Sequence, residues 1–148
     1  MYSLVLLLHS WLRWVALAGG ILAVAALAKP QQEGRAERWG LVFMIALDVQ
    51  MLLGLWLYLV LRPSTAAILN NFGAAMRDPG ARFWAVEHVT MMMFAVVIVH
   101  VGRVLARKAA TASQKRTRLL VCFVAALFAI VAATPWPGLP NGRPLFRV

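Results

Sequence analysis

The stretch that decides the fold is WGLVFMIALDVQMLLGLWLYLVL, from Trp39 to Leu61, in which Asp48 is the only charged side chain. A helix needs roughly 20 apolar residues to cross a hydrocarbon layer about 30 Å thick. Three further apolar runs lie outside this stretch, at about residues 2–27, 83–105 and 119–133. The runs are too long and too continuously apolar for barrel strands. The sequence therefore predicts an all-α integral membrane protein with four spans, at about 2–27, 39–61, 83–105 and 119–133.

The composition excludes several other classes of protein. Of the 148 residues, 62% are hydrophobic and only 14% are charged, too few for a soluble domain of this length. The single cysteine, Cys122, excludes a disulfide scaffold. No Gly-rich phosphate loop, HExxH or CxxC motif is present, so the sequence leaves enzymatic activity open. We expect residues 1–148 to form one transmembrane domain.

Positive charges are divided unequally between the two sides of the predicted membrane domain. The first and third connections carry nine of them: Lys29, Arg35, Arg38, Arg103, Arg107, Lys108, Lys115, Arg116 and Arg118. The opposite side carries five: Arg62, Arg77, Arg82, Arg143 and Arg147. Because cytoplasmic loops carry the excess, we predict an up-down-up-down four-helix bundle with both termini on the outer side, periplasmic in a bacterial inner membrane. The net charge of +10 then reflects topology and contact with anionic lipid, without nucleic acid.

The connections on the outer side predict two further features. Residues 66–76 favour a short interfacial helix, ended by Asp78-Pro79-Gly80. The proline-rich tail at 135–140 cannot be helical, and we expect it to lie along the outer surface. Aromatic residues near the predicted helix ends are typical interface anchors: Trp39, Trp56, Tyr58, Trp84 and Trp136.

Seven polar residues inside the spans are the candidates for function, since lipid excludes polar groups that lack a partner. They are His9, Arg13, Asp48, Gln50, Glu87, His88 and His100. At about 1.5 Å per residue, His9 and His88 both lie roughly 8 to 10 Å below the outer boundary. The first and third helices of such a bundle are diagonal partners, and cofactors bind between inward-facing side chains. We therefore predict that His9 and His88 are the axial ligands of one b-type haem; a hydrogen bond across a helix interface is the alternative.

The third histidine, His100, lies about 18 Å deeper than His88 and cannot bind the same iron. We favour a role for His100 as a hydrogen bonder at a helix interface. A quinone pocket or a proton-uptake route is the functional alternative, so quinone is a second candidate cofactor. Gln50 is predicted to hydrogen-bond a neighbouring helix.

The charged residues predict ion pairs within the membrane. Arg13 shares the helix face of His9 and lies about 16 Å deep, while Asp48 lies at about 20 Å. We predict an Arg13–Asp48 pair, with proton transfer or cofactor binding by Arg13 as the alternative. Nearer the outer boundary, Arg82 either pairs with Glu87 or holds a haem propionate.

The methionines that follow His88 suggest copper as an alternative metal. Met91 and Met92 share the helix stripe of His88, and thioether with imidazole favours Cu(I). Methionine is also an ordinary filler of apolar cores, as is a buried cysteine such as Cys122. Copper is therefore a minor alternative to haem.

Five short strings along the chain carry a resemblance to a known family. They are LHSWLRW at 8–14, DVQMLLG at 48–54, WAVEH at 84–88, HVGR at 100–103, and PWP at 135–137 with GRP at 142–144. In this order they resemble small four-span bacterial membrane proteins described as cytochrome b-like. The resemblance implies haem, without designating its ligands, and a place in a respiratory or photosynthetic membrane. The expected function is electron transfer, or anchoring, beside other membrane subunits of a redox complex; a haem-free accessory subunit is the alternative.

Overall fold

A computed structural model describes residues 1–61, 63–139 and 141–146. Arg62 and Arg147, two of the five outer-side cations counted above, lie outside the described residues, as does Pro140 of the tail.

The described chain is all-helical and contains no strand. Seven α-helices follow one another: α1 (Tyr2–Leu27), α2 (Glu33–Trp56), α3 (Pro63–Asn70), α4 (Phe72–Arg77), α5 (Pro79–Arg82), α6 (His88–Arg107) and α7 (Ala112–Ala133). A 3-10 turn at Pro30–Gln32 precedes α2, and π-helical turns at Leu57–Leu61 and Phe83–Glu87 follow α2 and precede α6. Four stretches are long and apolar enough to cross a membrane: Tyr2–Leu27, Pro30–Leu61, Pro79–Arg107 and Ala112–Ala133. The predictions of an all-α chain and of four apolar spans are confirmed.

Three of the four spans begin earlier than their apolar runs, at Pro30, Pro79 and Ala112. The last helix starts at Ala112, where Thr111 Oγ1 accepts a hydrogen bond from the backbone N–H of Gln114 at 3.2 Å. In the third span, Asp78 Oδ1 accepts from Ala81 N at 2.6 Å. A capping side chain satisfies the orphan N–H groups of a helix end wherever it stands. The apolar run therefore marks the lipid-compatible part of the helix and not its start.

The helix expected around residues 66–76 is divided into α3 and α4. Asn71 interrupts it, because the side-chain Oδ1 of Asn71 accepts a hydrogen bond from Ala74 N at 3.3 Å and begins a new helix there. Asparagine is a preferred N-cap residue, so the break follows from local chemistry.

The long helices pack in two extensive pairs, α1 with α2 and α6 with α7, and contacts of α1 with α7 and of α2 with α6 join the pairs. Phe43 and Phe123 are fully buried at the centre, with ring centroids 5.5 Å apart. The close approach of neighbouring helices depends on small residues. A Cβ added at Gly102 of α6 would lie 2.5 Å from the Cβ of buried Cys122 on α7. Small residues of this kind let membrane helices pack without a hydrophobic driving force.

At the end of the molecule where α2 and α7 begin, Lys115 holds the two helices together. Its Nζ lies 2.7 Å from Glu33 Oε1 and 2.6 Å from Glu37 Oε1. We expect K115M to lower the free energy of unfolding by up to about 1 kcal/mol, as exposed ion pairs contribute little. Thermal unfolding in detergent at low and high salt measures the difference. Lys108, an exposed lysine of the neighbouring loop, provides the control variant K108M. If K115M lowers the free energy of unfolding no more than K108M does, Lys115 does not stabilise the contact between α2 and α7.

Candidate haem site

A partly enclosed cavity of about 140 Å³ lies between α1, α2, α6 and the C-terminal tail. Apolar side chains form most of its wall. The side chains in the wall that carry polar groups are Tyr2, His9, Ser10, Arg13, Gln50, Tyr58, Trp84, His88, Thr134 and Arg143. A mainly apolar cavity with a few converging polar groups is typical of a cofactor site.

The structure brings His9 and His88 together across this cavity. Their ring centroids are 6.5 Å apart and the ring planes make an angle of 65°. A metal–imidazole bond is about 2 Å long, and the ring centre lies about 1.1 Å behind the ligating nitrogen, so two imidazoles on opposite sides of one metal ion have centres about 6.3 Å apart. The observed separation fits two ligands of a single metal ion.

The hydrogen bond of His88 defines the tautomer of its ring. Its Nδ1 lies 2.8 Å from the backbone carbonyl oxygen of Ala133 at the end of α7. A carbonyl oxygen only accepts, so Nδ1 carries the hydrogen and donates it. In the neutral ring the lone pair is then on Nε2. Metal-binding histidines usually donate their other N–H to a carbonyl or carboxylate in this way.

His9 occupies a space that glycine provides. A Cβ at Gly54 of α2 would lie 3.0 Å from Cε1 of His9, so any larger residue would press on the ring. The ring lies beside the backbone carbonyl of Gln50, yet Nδ1 is buried and makes no hydrogen bond of ordinary geometry within the described residues. A buried polar atom without a partner is costly, and a ligand in the cavity is one way to satisfy the ring.

Two π-helical turns border the cavity. Tyr58 lies in the first and Trp84 in the second, and the Tyr58 hydroxyl donates to the carbonyl oxygen of Ala85 at 2.8 Å, which joins the two turns. Trp84 also lies 5.6 Å from the His88 ring. The sequence alone predicts only interface anchoring for Tyr58 and Trp84. Because π-helical turns occur frequently at functional sites, their place beside the two histidines supports a ligand site.

Two arginines contribute positive charge to the wall. Arg13 Nη2 donates to the carbonyl oxygen of Leu145 at 2.9 Å, and the guanidinium of Arg143 lies 5.4 Å from the centre of the Trp84 ring. Sequence reasoning missed Arg143, which lies in the irregular tail, although it belongs to the GRP string quoted above. Arginine is well suited to hold carboxylates.

We predicted that the C-terminal tail lies along the outer surface. In the structure its last described residues also contact α1. It turns back, with Arg143 N donating to the Pro135 carbonyl at 3.0 Å. The Leu145 carbonyl also accepts from Trp14 Nε1 at 3.3 Å, and Phe146 stacks on the Trp14 ring at 5.5 Å. The two tryptophans of LHSWLRW and the Arg13 between them give the tail a docking surface on α1, which turn propensity alone does not reveal.

The predicted Arg13–Asp48 ion pair is wrong. Asp48 lies beside His100, with 3.5 Å between Oδ2 and Nε2, whereas Arg13 faces the cavity and donates to Leu145. Depth along a helix gives the level of a side chain but not its direction around the axis. The two residues share a level and point to different neighbours.

The remaining polar candidates are placed as follows. Arg82 Nε lies 2.6 Å from Glu87 Oε1, so these residues pair, and Arg82 is not in the cavity wall. Gln50 lines the cavity; its backbone carbonyl lies beside the His9 ring of α1, and its buried side-chain Oε1 has no hydrogen-bond partner within the described residues. Its amide is a second buried polar group that faces the cavity.

The cavity wall contains two methionines, Met51 and Met92. Of the two methionines on the His88 stripe, Met92 lines the cavity and Met91 does not, and both pack against the hydrophobic core. Among residues 1–61, 63–139 and 141–146, no group of three or more His, Cys, Asp or Glu side chains is placed to hold a metal ion.

Comparison with known proteins finds no family model, curated protein or solved structure that matches the chain.

Proposed function

We propose that this protein is a membrane subunit that holds one b-type haem between His9 and His88. The observation that carries the proposal is the pair of imidazoles from α1 and α6, with centroids 6.5 Å apart across a cavity. Two histidines on separate helices are a common way to hold an electron-transfer haem. When bound, haem supplies one-electron oxidation and reduction; the chain supplies ligands, orientation and exclusion of water.

The alternative is that the two rings only pack against each other in a haem-free accessory subunit. Two observations favour a ligand. His9 Nδ1 and Gln50 Oε1 are both buried at the cavity, and within the described residues neither has a hydrogen-bond partner of ordinary geometry. If the rings only pack against each other, these polar atoms stay buried without hydrogen bonds, which costs free energy. A ligand in the cavity can supply the missing hydrogen bonds.

The size of the cavity sets a condition on the proposal. Its volume of about 140 Å³ is below the roughly 300 to 1,000 Å³ of most cofactor pockets. A macrocycle therefore requires wall side chains to change rotamer. Met51, Met92 and Arg143 are long and flexible members of that wall, and methionine adapts readily to a new neighbour.

We propose that Arg13 and Arg143 hold the carboxylates of the haem, in place of Arg82. Both guanidinium groups belong to the cavity wall, and Arg82 is paired with Glu87. The guanidinium of Arg143 lies over the Trp84 ring. The centres of the Trp84 and His88 rings are 5.6 Å apart. Positive charge therefore lies beside the ligand histidine, where a carboxylate is stabilised by charge-assisted hydrogen bonds.

We further propose an up-down-up-down bundle with both termini on the periplasmic side of a bacterial inner membrane. The support is the excess of lysine and arginine in the first and third connections. In this orientation the candidate haem lies near the periplasmic face. We propose other membrane subunits of a redox complex, and lipids, as the partners of this domain.

An optical spectrum of the purified protein tests the haem. We expect a Soret band and an α band in the reduced-minus-oxidised difference spectrum. The measurement needs expression in a host that makes haem, and a pyridine extract gives the ratio of haem to protein, expected to be about one. A featureless visible spectrum after haem has been added to the purified protein supports the accessory subunit instead.

A further inference from the structure

A second polar site lies on α2 and α6, outside the cavity wall. Asp48 Oδ2 is 3.5 Å from His100 Nε2, and the two side chains are 38% and 46% exposed. Both residues lie inside apolar spans. Exposed ionisable groups within a span face lipid at high cost, and they mark functional sites more often than structural ones.

The hydrogen bond of His100 defines the tautomer of its ring. Nδ1 lies 3.0 Å from the carbonyl oxygen of Val96 and therefore carries a hydrogen that it donates. Nε2 and the Asp48 carboxyl can share one further proton, which avoids a net charge in lipid. Whichever group holds that proton, the pair presents one donor and one acceptor.

The pair does not satisfy itself. Its separation of 3.5 Å exceeds the usual hydrogen-bond range of about 2.7 to 3.2 Å. Within the described residues, the Asp48 oxygens accept no hydrogen bond. One external oxygen atom placed about 2.8 Å from both Oδ2 and Nε2 fits this spacing, and it completes the hydrogen bonding of the pair.

The surroundings favour a small lipid-dissolved molecule over another helix. Ile45, Leu52, Val97 and Val104 are exposed on the same two helices. These side chains are bulky and aliphatic, whereas close packing between membrane helices uses glycine, alanine or serine. A hydrocarbon tail packs well on such a surface.

We propose that Asp48 and His100 bind a quinone or quinol, a ligand whose ring oxygen hydrogen-bonds both side chains and whose tail lies along the aliphatic surface of α2 and α6. A quinol hydroxyl can donate to one member of the pair and accept from the other, and a quinone carbonyl accepts from the member that holds the proton. The ligand reaches the site sideways through the bilayer. This site is separate from the cavity and does not depend on haem at His9 and His88.

Photolabelling of the full chain in phosphatidylcholine vesicles tests the site, with a benzoquinone that carries an azido group and a decyl chain. We expect labelled peptides from α2 and α6 near Asp48 and His100, and competition by the unlabelled decyl quinone. The double variant D48L/H100L places apolar residues on a lipid-facing surface and should remain folded. In this variant we expect labelling to fall at least about tenfold, since two hydrogen bonds are lost.

The matched control is E87Q, because Glu87 has a similar exposed fraction, 44%, at another level of the molecule. E87Q should label as the unaltered chain does. Labelling that persists in D48L/H100L, or that maps to α1 and α7, overturns the proposal. A dimer of the unaltered chain that D48L/H100L dissociates also overturns it, since a second copy then occupies the pair. The labelling pattern can be measured whether or not a Soret band is present. A negative result in one experiment therefore does not decide the other proposal.

Discussion

Replacing either His9 or His88 with alanine should abolish the Soret band of the purified protein. Each ring supplies one axial ligand in the proposed site, and no third histidine lies close enough to substitute, since His100 is held by Val96 and lies beside Asp48. Loss of one of two axial ligands leaves a haem held mainly by apolar contacts, which purification removes. Optical spectra of both variants, at equal protein concentration, measure the effect.

H100A is the matched control for these two variants and should keep the full band. Added imidazole should restore part of the band in H9A, because the small ligand enters the space that the side chain leaves. Circular dichroism checks that the helices persist. If either H9A or H88A binds as much haem as the unaltered chain, the ligand assignment is wrong.

G102V should cause a large loss in the free energy of unfolding, because it disrupts the packing of two helices. A Cβ at Gly102 would lie 2.5 Å from Cys122 Cβ and 3.1 Å from its Sγ, so α6 and α7 must separate. Overpacking of this kind costs about 3 kcal/mol when backbones are forced apart. Unfolding by increasing SDS in mixed micelles, followed by circular dichroism, measures the loss.

Two further variants show whether contact with Cys122 is the cause. G34V introduces the same side chain where a Cβ meets nothing within 4 Å, and it should change stability little. The double variant G102V/C122G removes the opposing Cβ and should recover part of the loss. A G34V loss equal to that of G102V means that helix packing at Gly102 is not responsible.

The sequence predicted the four helices and the level of each histidine, because apolar run length and rise per residue are local quantities. These two quantities were enough to place His9 and His88 in one layer. They could not give the direction of a side chain around its helix, and for this reason Asp48 was assigned to Arg13 although it lies beside His100. Rotation depends on which neighbouring helix packs where, which only the assembled chain determines.

The contribution of the tail was beyond sequence reasoning for a different physical reason. Residues 135–146 have no period, so nothing in the sequence places Arg143 in the cavity wall. The position follows from aromatic contacts with Trp11 and Trp14 on α1, more than a hundred residues away. The role of Gly54 was also hidden, since glycine in an apolar helix gives no sign of the ring that it accommodates.

The docking of the tail on α1 imposes an order on biogenesis. Arg143 and Leu145 leave the ribosome after all four spans, so the pocket stays open on one flank until translation has passed them. In the proposed haem protein, this flank is the side from which a prosthetic group can enter before the tail docks on α1.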